Sequence, residues 1–478
     1  MPKLPNYALG EWVDHEGPGE PQYNAVTGEV IATCGSDGLD YGAMMDYARS
    51  VGGPKLRRLT FRERGLMLKK LALHLHELRK EYYPISYQTG ATKSDSWIDI
   101  DGGIGTLFAY ASLRRQFPDQ PFYVDGEAVN LSREGTFIGH HIMVPRHGVA
   151  IHINAFNFPI WGMLEKLSVN LLAGVPAIVK PSELTSFLTQ AMVRDIIESG
   201  ILPEGALQLG CGRGIGILEP VSAQDVVTFT GSASTGRMLK AQPQIIENAV
   251  PFNMEADSLN AAVLGKDAQP DTATFDLFIK EVWREMTVKC GQKCTAIRRI
   301  IVPDHLLDAV HASLSRRLDR TTIGDPQHEG VRMGALVSRS QVEEVGRRLD
   351  ELSAHTEVVY GDVATYDVLG GDPEKGAFFH PVLLLNDDPF NKHVSHTVEA
   401  FGPVSTIMPY KTLDEAVELA NMGKGSLVST VATADPEIAT HYVMGSAPFH
   451  CRILILNEES AKESTGHGSP MPLLVHGG

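Results

Sequence analysis

The chain has few cysteines, and they are scattered. Its 478 residues include five, which are Cys34, Cys211, Cys290, Cys294 and Cys451. That usage argues against a disulfide scaffold and favours a reducing compartment, with the cytoplasm as the default. Cys290 and Cys294 form a C-x-x-x-C pair, but no nearby Cys or His pair completes a zinc site. No metal is therefore expected, and a regulatory disulfide between these two cysteines is the weaker alternative.

Long apolar runs and an excess of basic residues are also missing. No stretch approaches 18 consecutive apolar residues, and the start, MPKLPNYALGEW, lacks the apolar run of a signal peptide. The formal net charge is −16, from 42 basic and 58 acidic residues. Because nucleic acids and anionic membranes attract basic surfaces, neither is expected as a partner.

An ordinary globular composition remains, with 43% hydrophobic and 21% charged residues, no internal repeat and no long linker. From His147 the short apolar runs GVAIHIN, GVPAIVK, ALQLGCG and DVVTFTG alternate with helical patterns such as Thr185 to Gly200. This alternation predicts an α/β fold with a parallel, doubly wound sheet. A second alternation, from near Pro251 to about Val431, predicts a second α/β domain.

The segments before His147 have other patterns. NAVTGEVIA resembles a hairpin, and Thr60 to about Gly90 predicts a long amphipathic helix, as does the stretch from Ile98 to Phe117. The polar, β-favouring run from Phe122 to Ile142 predicts a hairpin extension. In the long helix we expect one shared buried side that contains Leu66, Leu68, Leu71 and Leu75.

One thiol lies where it could react. Cys294, in KCGQKCTAIRR, follows a helical pattern from Phe275 to Lys289 and precedes a strand-like run from Ile297 to Val302. A turn between two such elements can hold a side chain rigidly and still leave it open to a substrate. A free thiol is only a few per cent ionised at neutral pH, so Cys294 needs either a locally lowered pKa or a base. A Cys/His protease would supply one, but none of the histidines (His140, His141, His152 and His467 among them) is singled out.

A nucleotide site is one interpretation of the residues after DVVTFTG. The stretch from Gly231 to Gly236 indicates a strand–turn–helix junction, with Ser232 in the turn and Arg237 to Leu239 opening the helix. Glycine there lets the backbone approach a pyrophosphate, although a purely structural turn explains the same residues. Lys180, Ser182 and Glu183, at the end of another strand, suit ribose hydroxyls or form a solvated loop.

Three more motifs could serve the thiol, each with a structural alternative. Asn154 and Asn157, in NAFNFP, could supply a buried amide to an oxyanion, or could satisfy turn backbone. Glu255, in MEADSLN, could be a buried general base or an ion-paired glutamate. Glu399 and Phe401, in EAFGPV, lie in a tight loop that could simply be a strand-entry turn.

Taken together, NAFNFP, VKPSE, FTGSASTG, MEADSLN, GQKCTA and EAFGPV, in this order, resemble the aldehyde dehydrogenase superfamily over nearly the whole chain. Within it, DGGIGTLFAYASL and NEESAKESTGHGSP are most similar to the semialdehyde dehydrogenases of phenylacetate degradation, which are fused to a ring-opening hydrolase. The next most similar are those acting on 3,4-dehydroadipyl-CoA semialdehyde in benzoyl-CoA degradation. The resemblance implies a Rossmann-like cofactor domain, an α/β catalytic domain and a β-hairpin oligomerisation arm.

The resemblance also implies roles for individual residues. Cys294 would be the nucleophile, Asn157 an oxyanion donor with the backbone N–H of Cys294, and Glu255 the base for hydrolytic deacylation. Contacts to NAD or NADP would come from Lys180, Ser182, Glu183, Gly231, Ser232, Gly236, Glu399 and Phe401. Phe108, Phe158 and Trp161 would line the substrate tunnel.

Domain bounds follow from the same resemblance. Residues 1–121 and 143–254 would form the dinucleotide-binding domain, 255–440 the catalytic domain, and 122–142 with 441–478 the oligomerisation segments of a homodimer or dimer of dimers. The family continues past the point where this chain stops at VHGG. A natural tail, or a fused hydratase domain downstream, is therefore expected.

Cofactor choice is the main departure from the resemblance. The phenylacetate-type enzymes usually carry a small hydroxyl residue where this chain has Glu183, and they prefer NADP. A carboxylate there would repel a 2′-phosphate, so we expect NAD to be used at least as well.

The leading hypothesis is oxidation of a CoA-linked aliphatic semialdehyde to its carboxylate. An aldehyde dehydrogenase for small aldehydes without CoA, and a catalytically silent member of the superfamily, are the alternatives.

Overall fold

The computed structural model describes residues 1–469, and the chain divides into two compact units. The first unit comprises Met1–Gln22, Val30–Ile85 and Ser96–Met254. The second comprises Tyr23–Glu29, Ser86–Asp95 and the chain from Glu255 onward. Residues 470–478, the end of the expected oligomerisation segment 441–478, lie outside the described residues.

Two short segments belong to the second unit although the expected bounds put them in the first. The backbone N–H of Ala377 donates to the carbonyl of Ala25 over 2.7 Å, and that of Ala335 donates to the carbonyl of Gly90 over 3.1 Å. These bonds join residues more than 200 positions apart. Sequence periodicity reports only local structure, so it contains no signal for them.

The first unit is built on a seven-stranded sheet. The strands that precede β12 in the chain, seven of which form this sheet, are β1 (Asn6–Ala8), β2 (Glu11–Val13), β3 (Glu20–Tyr23), β4 (Val30–Cys34), β5 (Tyr123–Asn130), β6 (Ile138–Met143), β7 (Ala150–Ile153), β8 (Ala177–Lys180), β9 (Leu207–Leu209), β10 (Val226–Thr230) and β11 (Phe252–Glu255). The order across the sheet is β11-β10-β7-β8-β9-β1-β2. Strands β10, β7, β8 and β9 run parallel, whereas β1 is antiparallel to β9. The β5–β6 pair confirms the hairpin predicted from Phe122 to Ile142. The hairpin predicted within NAVTGEVIA is confirmed only in part, because β3, which pairs with β4, lies before that stretch.

Helices pack on both faces of this sheet. The helices that precede β12 in the chain are α1 (Tyr41–Tyr47), α2 (Gly53–Arg58), α3 (Phe61–Tyr87), α4 (Lys93–Ser96), α5 (Gly102–Ser112), α6 (Pro159–Leu172), α7 (Ser186–Glu198), α8 (Ala233–Lys240) and α9 (Pro243–Glu247), and of these α4 lies mostly in the second unit. The long helix α3 is confirmed, and Leu68, Leu71 and Leu75 are fully buried. The prediction for Leu66 was wrong, since its side chain is 46% exposed. Leu66 precedes Leu68 by two residues, or about 200° around a helix, so the two cannot share a face.

The second unit repeats the architecture. Its strands are β12 (Asn260–Leu264), β13 (Ile297–Pro303), β14 (Glu357–Tyr360), β15 (Val382–Leu385), β16 (Val404–Tyr410), β17 (Ser429–Ala432) and β18 (Ile453–Leu456). Its helices are α10 (Ala273–Thr287), α11 (Leu307–Leu318), α12 (Arg339–Ser353), α13 (Leu413–Asn421) and α14 (Pro436–Ser446). The sheet order is β14-β15-β16-β13-β12-β17-β18, and all pairs except β14 with β15 are parallel.

Apolar side chains from α10 and α11 fill one face of this sheet, and those from α13 and α14 fill the other. The predicted α/β class with doubly wound sheets is confirmed. Among residues 1–469, no helix combines the length and apolar character that crossing a bilayer requires.

The parallel pairing brings the amino ends of several strands to the same end of the second sheet. Asn260 of β12 is paired with Ile297 of β13, and Ser429 of β17 with Ile453 of β18. The residues just before these strands therefore lie at that amino-terminal end of the sheet. Cys294 precedes β13 by three residues, which places it there as well.

A buried histidine makes stability depend on pH. His396 lies between two groups that fix it as neutral: Nδ1 is 3.1 Å from Nη1 of Arg299, and Nε2 is 3.0 Å from the carbonyl of Pro389. Burial, with the nearby Arg299 charge, lowers the pKa of His396 to about 4. In the unfolded chain the value is about 6.5, so between these pH values the unfolded state binds more protons.

We therefore predict that the contribution of His396 to the free energy of unfolding is fully present above about pH 6.5 and is lost as the pH drops towards 4, in parallel with those of the buried His152, His450 and His467, whose pKa values are also lowered. His396 alone contributes up to about 1.4 kcal/mol per pH unit. Replacing it (His396→Gln) should flatten the decline, as measured by chemical denaturation at a series of pH values. His305→Gln, at an exposed site, is the matched control. Equal slopes for the two variants would contradict the interpretation.

Candidate active site

Cys294 lies in the short loop between α10 and β13, as the sequence predicted. The helix ends at Thr287, a single 3₁₀ turn covers Val288–Gly291, and β13 begins at Ile297. The Cys294 residue is partly exposed, whereas Cys290 is buried. Burial raises the pKa of the Cys290 thiol far above its usual range, which makes it a poor nucleophile. Only Cys294 of the two is placed to react with a ligand.

The backbone before Cys294 is strained. Lys289 and Cys290 have φ values of 55° and 52°, and Gly291 follows at 68°. A non-glycine residue in this left-handed region costs on the order of 1–3 kcal/mol, and such residues concentrate at functional sites. A side chain at Gly291 would put its Cβ 2.3 Å from the carbonyl oxygen of Gly402. Glycine is therefore required there by both conformation and space.

Two polar residues hold this turn in place. The carboxylate of Asp95 accepts from the Lys289 backbone N–H over 2.9 Å and, through its other oxygen, from Thr92. The side chain of Gln292 donates to the Lys289 carbonyl over 3.1 Å and accepts from the Val337 N–H over 3.0 Å. These bonds offset the strain, so the turn is fixed before any ligand binds.

A buried arginine joins this turn to the loop that contains Glu399. Arg298 donates to the carbonyls of Gly291 (2.9 Å) and Gly402 (2.7 Å), and its Nε lies 3.2 Å from a carboxylate oxygen of Glu399. Its guanidinium also lies 5.5 Å from the ring centroid of Phe401. Burial raises the pKa of Glu399, and the charge of Arg298 opposes that rise. The other carboxylate oxygen of Glu399 accepts from the Ser258 N–H over 3.2 Å.

The network continues from Ser258 to the loop that contains Cys294. The Ser258 hydroxyl donates to the side-chain oxygen of Asn260 over 2.8 Å. The Asn260 amide in turn donates to the backbone carbonyls of Cys294 (2.8 Å) and Ala296 (3.0 Å). Glu399 and Cys294 are thus connected through two buried residues. The structure brings these two candidate residues together indirectly, through a shared scaffold.

Asn157 and Glu255 are described in separate units. Asn157 is 6% exposed, in the loop between β7 and α6 of the first unit. Glu255 ends β11, where the chain passes into the second unit, and is half-buried rather than buried as expected. Asn154 is 4% exposed, and neither of its buried side-chain polar atoms has a partner among the described residues.

The cofactor candidates of the first unit fall into two groups. In one, Lys180 ends β8 and its Nζ lies 3.4 Å from Glu183, whose backbone carbonyl accepts from the side chain of Gln22. The Ser182 hydroxyl accepts from the Leu184 N–H over 3.3 Å. The Lys180 amine is paired, so the loop is organised rather than merely solvated.

The other group is the turn after β10, where the predicted helix start was wrong. Helix α8 begins at Ala233, not at Arg237, because Ser232 is its N-cap and accepts from the Thr235 N–H. Gly236 is buried in the first turn, and a Cβ there would lie 2.8 Å from the sulfur of Met254. A side chain at Gly231 would meet the ring of Phe229 at 2.7 Å. This helix terminus fits the phosphates of a dinucleotide, since its first-turn N–H groups lie beside the exposed Ser232.

The expected tunnel residues are all half-buried. Phe108 on α5 lies edge-on to His76, with ring centroids 6.5 Å apart. Phe158 is the N-cap residue of α6, and the indole of Trp161 donates to Glu165 over 3.0 Å. Their role towards a substrate stays a prediction.

Arg298, Ser258 and Asn260 were missed by sequence reasoning. Only Arg298 had a visible signal, because two arginines interrupt the otherwise apolar run IRRIIVP. Charged residues in a buried strand must find partners, and all of β13 is buried. No clustered metal ligands occur in the described part of the chain.

Comparison with known proteins gives a consistent result. A profile described as "Aldehyde dehydrogenase family" matches residues 12–464. The chain is 42% identical over 477 residues to a 3,4-dehydroadipyl-CoA semialdehyde dehydrogenase of Aromatoleum evansii, covering all of this chain and 93% of that protein. A shorter match, 46% identical over 147 residues, covers 30% of this chain and 42% of Protein MaoC from Klebsiella aerogenes.

Among solved structures, the fold is similar to betaine aldehyde dehydrogenase of Staphylococcus aureus in complex with NAD+. The TM-score is 0.84, with 22% sequence identity, over 95% of this chain and 87% of that one.

The Asn260 network yields a prediction. Asn260→Ala removes the hydrogen bonds that the amide donates to the backbone carbonyls of Cys294 and Ala296, which should cost about 1–3 kcal/mol of stability. We expect kcat for aldehyde oxidation to fall by up to about 10²-fold, the effect of roughly 1 Å of misplacement. Asn248→Ala, which removes bonds to Val221 and Gln244 in the first unit, is the control. An Asn260→Ala enzyme with unchanged kcat would contradict a positioning role.

Proposed function

Because the chain belongs to the aldehyde dehydrogenase family, we propose that it oxidises a CoA-linked aliphatic semialdehyde, formed in aerobic aromatic degradation, to the free carboxylate. The observation that carries this proposal is the 42% identity, over essentially full length, to a relative named as a CoA-semialdehyde dehydrogenase. The CoA thioester of the substrate would stay intact. The expectation that the chain is more similar to the phenylacetate-type enzymes than to this relative stays a prediction.

The residues support a covalent mechanism. The thiolate of Cys294 would attack the aldehyde carbon, and Asn157 and the Cys294 backbone N–H would donate to the resulting oxyanion. A bound nicotinamide would accept the hydride as the adduct becomes a thioester. Glu255 would then remove a proton from water, and the attack of that water would release the acid and restore the thiol. The strained, fully bonded turn before Cys294 supports this assignment, since it fixes the nucleophile loop in advance.

Cofactor binding would use residues of both candidate groups. Lys180 and Glu183 would contact the adenosine ribose, with Ser182 in the same loop. Ser232, Gly231 and Gly236 would form the pyrophosphate turn at the start of α8. Glu399 and Phe401 would contact the nicotinamide half of the cofactor, and the buried Arg298 would hold the loop that contains them.

A homodimer, or a dimer of dimers, is proposed through the β5–β6 hairpin. Its apolar side chains are unusually exposed: Val124, Val129, Leu131, Phe137, Ile138, Ile142 and Met143 are all at least 41% exposed. Exposed apolar surface of this kind marks an interaction site.

The substrate assignment is tested with matched aldehydes. We expect kcat/KM for a six-carbon semialdehyde CoA thioester to exceed that for the same semialdehyde without CoA, and for simple aliphatic or aromatic aldehydes. Cys294→Ala should abolish oxidation of all of them, while Cys290→Ala should leave most of it. Equal kcat/KM with and without CoA would favour the enzyme for small aldehydes. Undiminished oxidation by Cys294→Ala would exclude the mechanism.

Glu183 should set the cofactor preference. Its side chain is 41% exposed, so the repulsion of a 2′-phosphate is screened but still present. The wild-type enzyme should use NAD at least as well as NADP. For Glu183→Ser we expect the NADP/NAD ratio of kcat/KM to rise at least about fivefold, since removing one close like charge in water is worth about 1 kcal/mol. Glu198→Ser, on the exposed end of α7, is the control and should leave the ratio unchanged.

A further inference from the structure

A buried ion pair lies one residue before Cys294, and the proposed mechanism does not use it. Lys293 donates from its Nζ to both carboxylate oxygens of Glu285, over 2.7 and 2.8 Å. Lys293 is 8% exposed, and Glu285 is fully buried on the last turn of α10. Lysine and glutamate are almost never buried to this degree unless they are paired. The side chain of Lys293 is therefore a fixed tether from the loop that contains Cys294 to the preceding helix.

The tether acts on the peptide unit between Lys293 and Cys294. The carbonyl of Lys293 accepts from the Ala296 N–H over 3.1 Å, in a turn centred on Cys294 and Thr295. The carbonyl and the N–H of a planar trans peptide point in opposite directions, so the Cys294 N–H points away from this turn bond. Asn260 holds the next peptide unit, at the carbonyl of Cys294. The tether and the Asn260 bond thus fix the two peptide units that flank the thiol.

The backbone near the end of the described chain closes over the ion pair. A Cβ at Gly468 would lie 3.0 Å from Nζ of Lys293 and 3.5 Å from a carboxylate oxygen of Glu285. Backbone packed this closely shields the two charges from water. Their attraction is stronger in such surroundings than at the surface, which restricts the pair to one geometry.

Stability alone does not explain the pair. Two charges lose their hydration when they are buried, and replacing a buried ion pair with apolar side chains of similar volume is often neutral or stabilising. Arg284 lies 3.7 Å from Glu285, but it has its own carboxylate partner in Glu281, at 2.5 Å. Lys293 and Glu285 can therefore be replaced together without leaving a charge unpaired. What they add to apolar packing is a directional tether.

We propose that Glu285 is a positioning residue for the reaction at Cys294: through Lys293 it fixes the orientation of the Cys294 N–H, which donates to the oxyanion. The inference rests on the proposed function and deepens it. Attack of a thiolate on a carbonyl carbon places negative charge on the oxygen, so it depends on a donor that is already aimed at that oxygen. Displacement at a saturated carbon creates no oxyanion and does not depend on this donor.

Two reagents that react with the same thiol separate these two kinds of step. 4-Nitrophenyl acetate acylates the thiolate through an oxyanion and releases 4-nitrophenolate, which is followed during the first turnover. Iodoacetamide alkylates the thiolate with loss of iodide and without an oxyanion. Both reactions consume the thiolate, so the ratio of their rate constants at one pH does not depend on the pKa of the thiol.

Both rates are measured in a Cys451→Ala background, because Cys451 is exposed and would also react. Cys294→Ala in the same background gives the blank. Neither reagent requires the aldehyde or the cofactor, so an error in the proposed substrate would not affect the result.

In the double variant Glu285→Leu, Lys293→Met we expect the ratio of acylation to alkylation to fall about tenfold or more, since removing one oxyanion donor completely costs about 10²–10³ in rate. Its melting temperature should stay near that of the wild type. Glu285→Gln breaks the pair but leaves Lys293 charged, so it should lower both the ratio and the melting temperature. The same two changes in the solvent-accessible pair of Glu204 and Lys55, 2.7 Å apart, are the matched control and should leave the ratio unchanged.

An unchanged ratio in the folded double variant would overturn the proposal and leave Cys294 as the nucleophile. Failure of the double variant to fold would also overturn it, because the pair would then serve stability. Acylation of the Cys294→Ala blank as fast as that of the background enzyme would instead remove the proposed role of Cys294, and the inference with it.

Discussion

The buried guanidinium of Arg298 is the interaction on which the candidate site depends. It binds the carbonyl of Gly291, the carbonyl of Gly402 and the carboxylate of Glu399, so one side chain joins the turn before Cys294 to the loop that contains Glu399. Removing one partner of such a buried pair typically costs 3–5 kcal/mol, because the other charge is left uncompensated. Losing any one of these three contacts is therefore expected to destabilise both loops strongly. For a loop that positions a reacting group, a fixed geometry matters more than added stability.

The backbone strain before Cys294 is held by the same scaffold. The left-handed residues Lys289 and Cys290 are unfavourable alone, and they persist because Asp95 and Gln292 bond the turn on both sides. Once the turn is fixed, the backbone N–H of Cys294 has a defined direction.

Sequence reasoning succeeded where the determinants were local. The helix before Cys294, the strand after it and the hairpin from Phe122 to Ile142 all carry a periodicity that depends only on neighbouring residues. It failed where geometry was finer or contacts were distant. Leu66 was placed on the wrong face of α3, and the start of α8 was placed four residues late because the capping role of Ser232 was not recognised.

The long-range network was beyond the reach of the sequence pattern. Nothing in MEADSLN shows that Asn260 bonds the carbonyl of Cys294, 34 positions away. The resemblance to aldehyde dehydrogenases suggested the reacting groups, whereas the structure supplied the residues that hold the loop of Cys294. The adjacent arginines of IRRIIVP were the one visible sign, since a charge in a buried strand must be compensated.

The covalent intermediate on Cys294 is the central claim, and trapping it is the most direct test. Enzyme mixed with aldehyde and oxidised cofactor is quenched in acid during the first turnover, and its peptides are mapped by mass spectrometry. The account predicts an acyl adduct on the peptide containing Cys294, at one per active site, together with one equivalent of reduced cofactor. Reduced cofactor formed without any adduct, or an adduct confined to another residue such as Cys451, would contradict it.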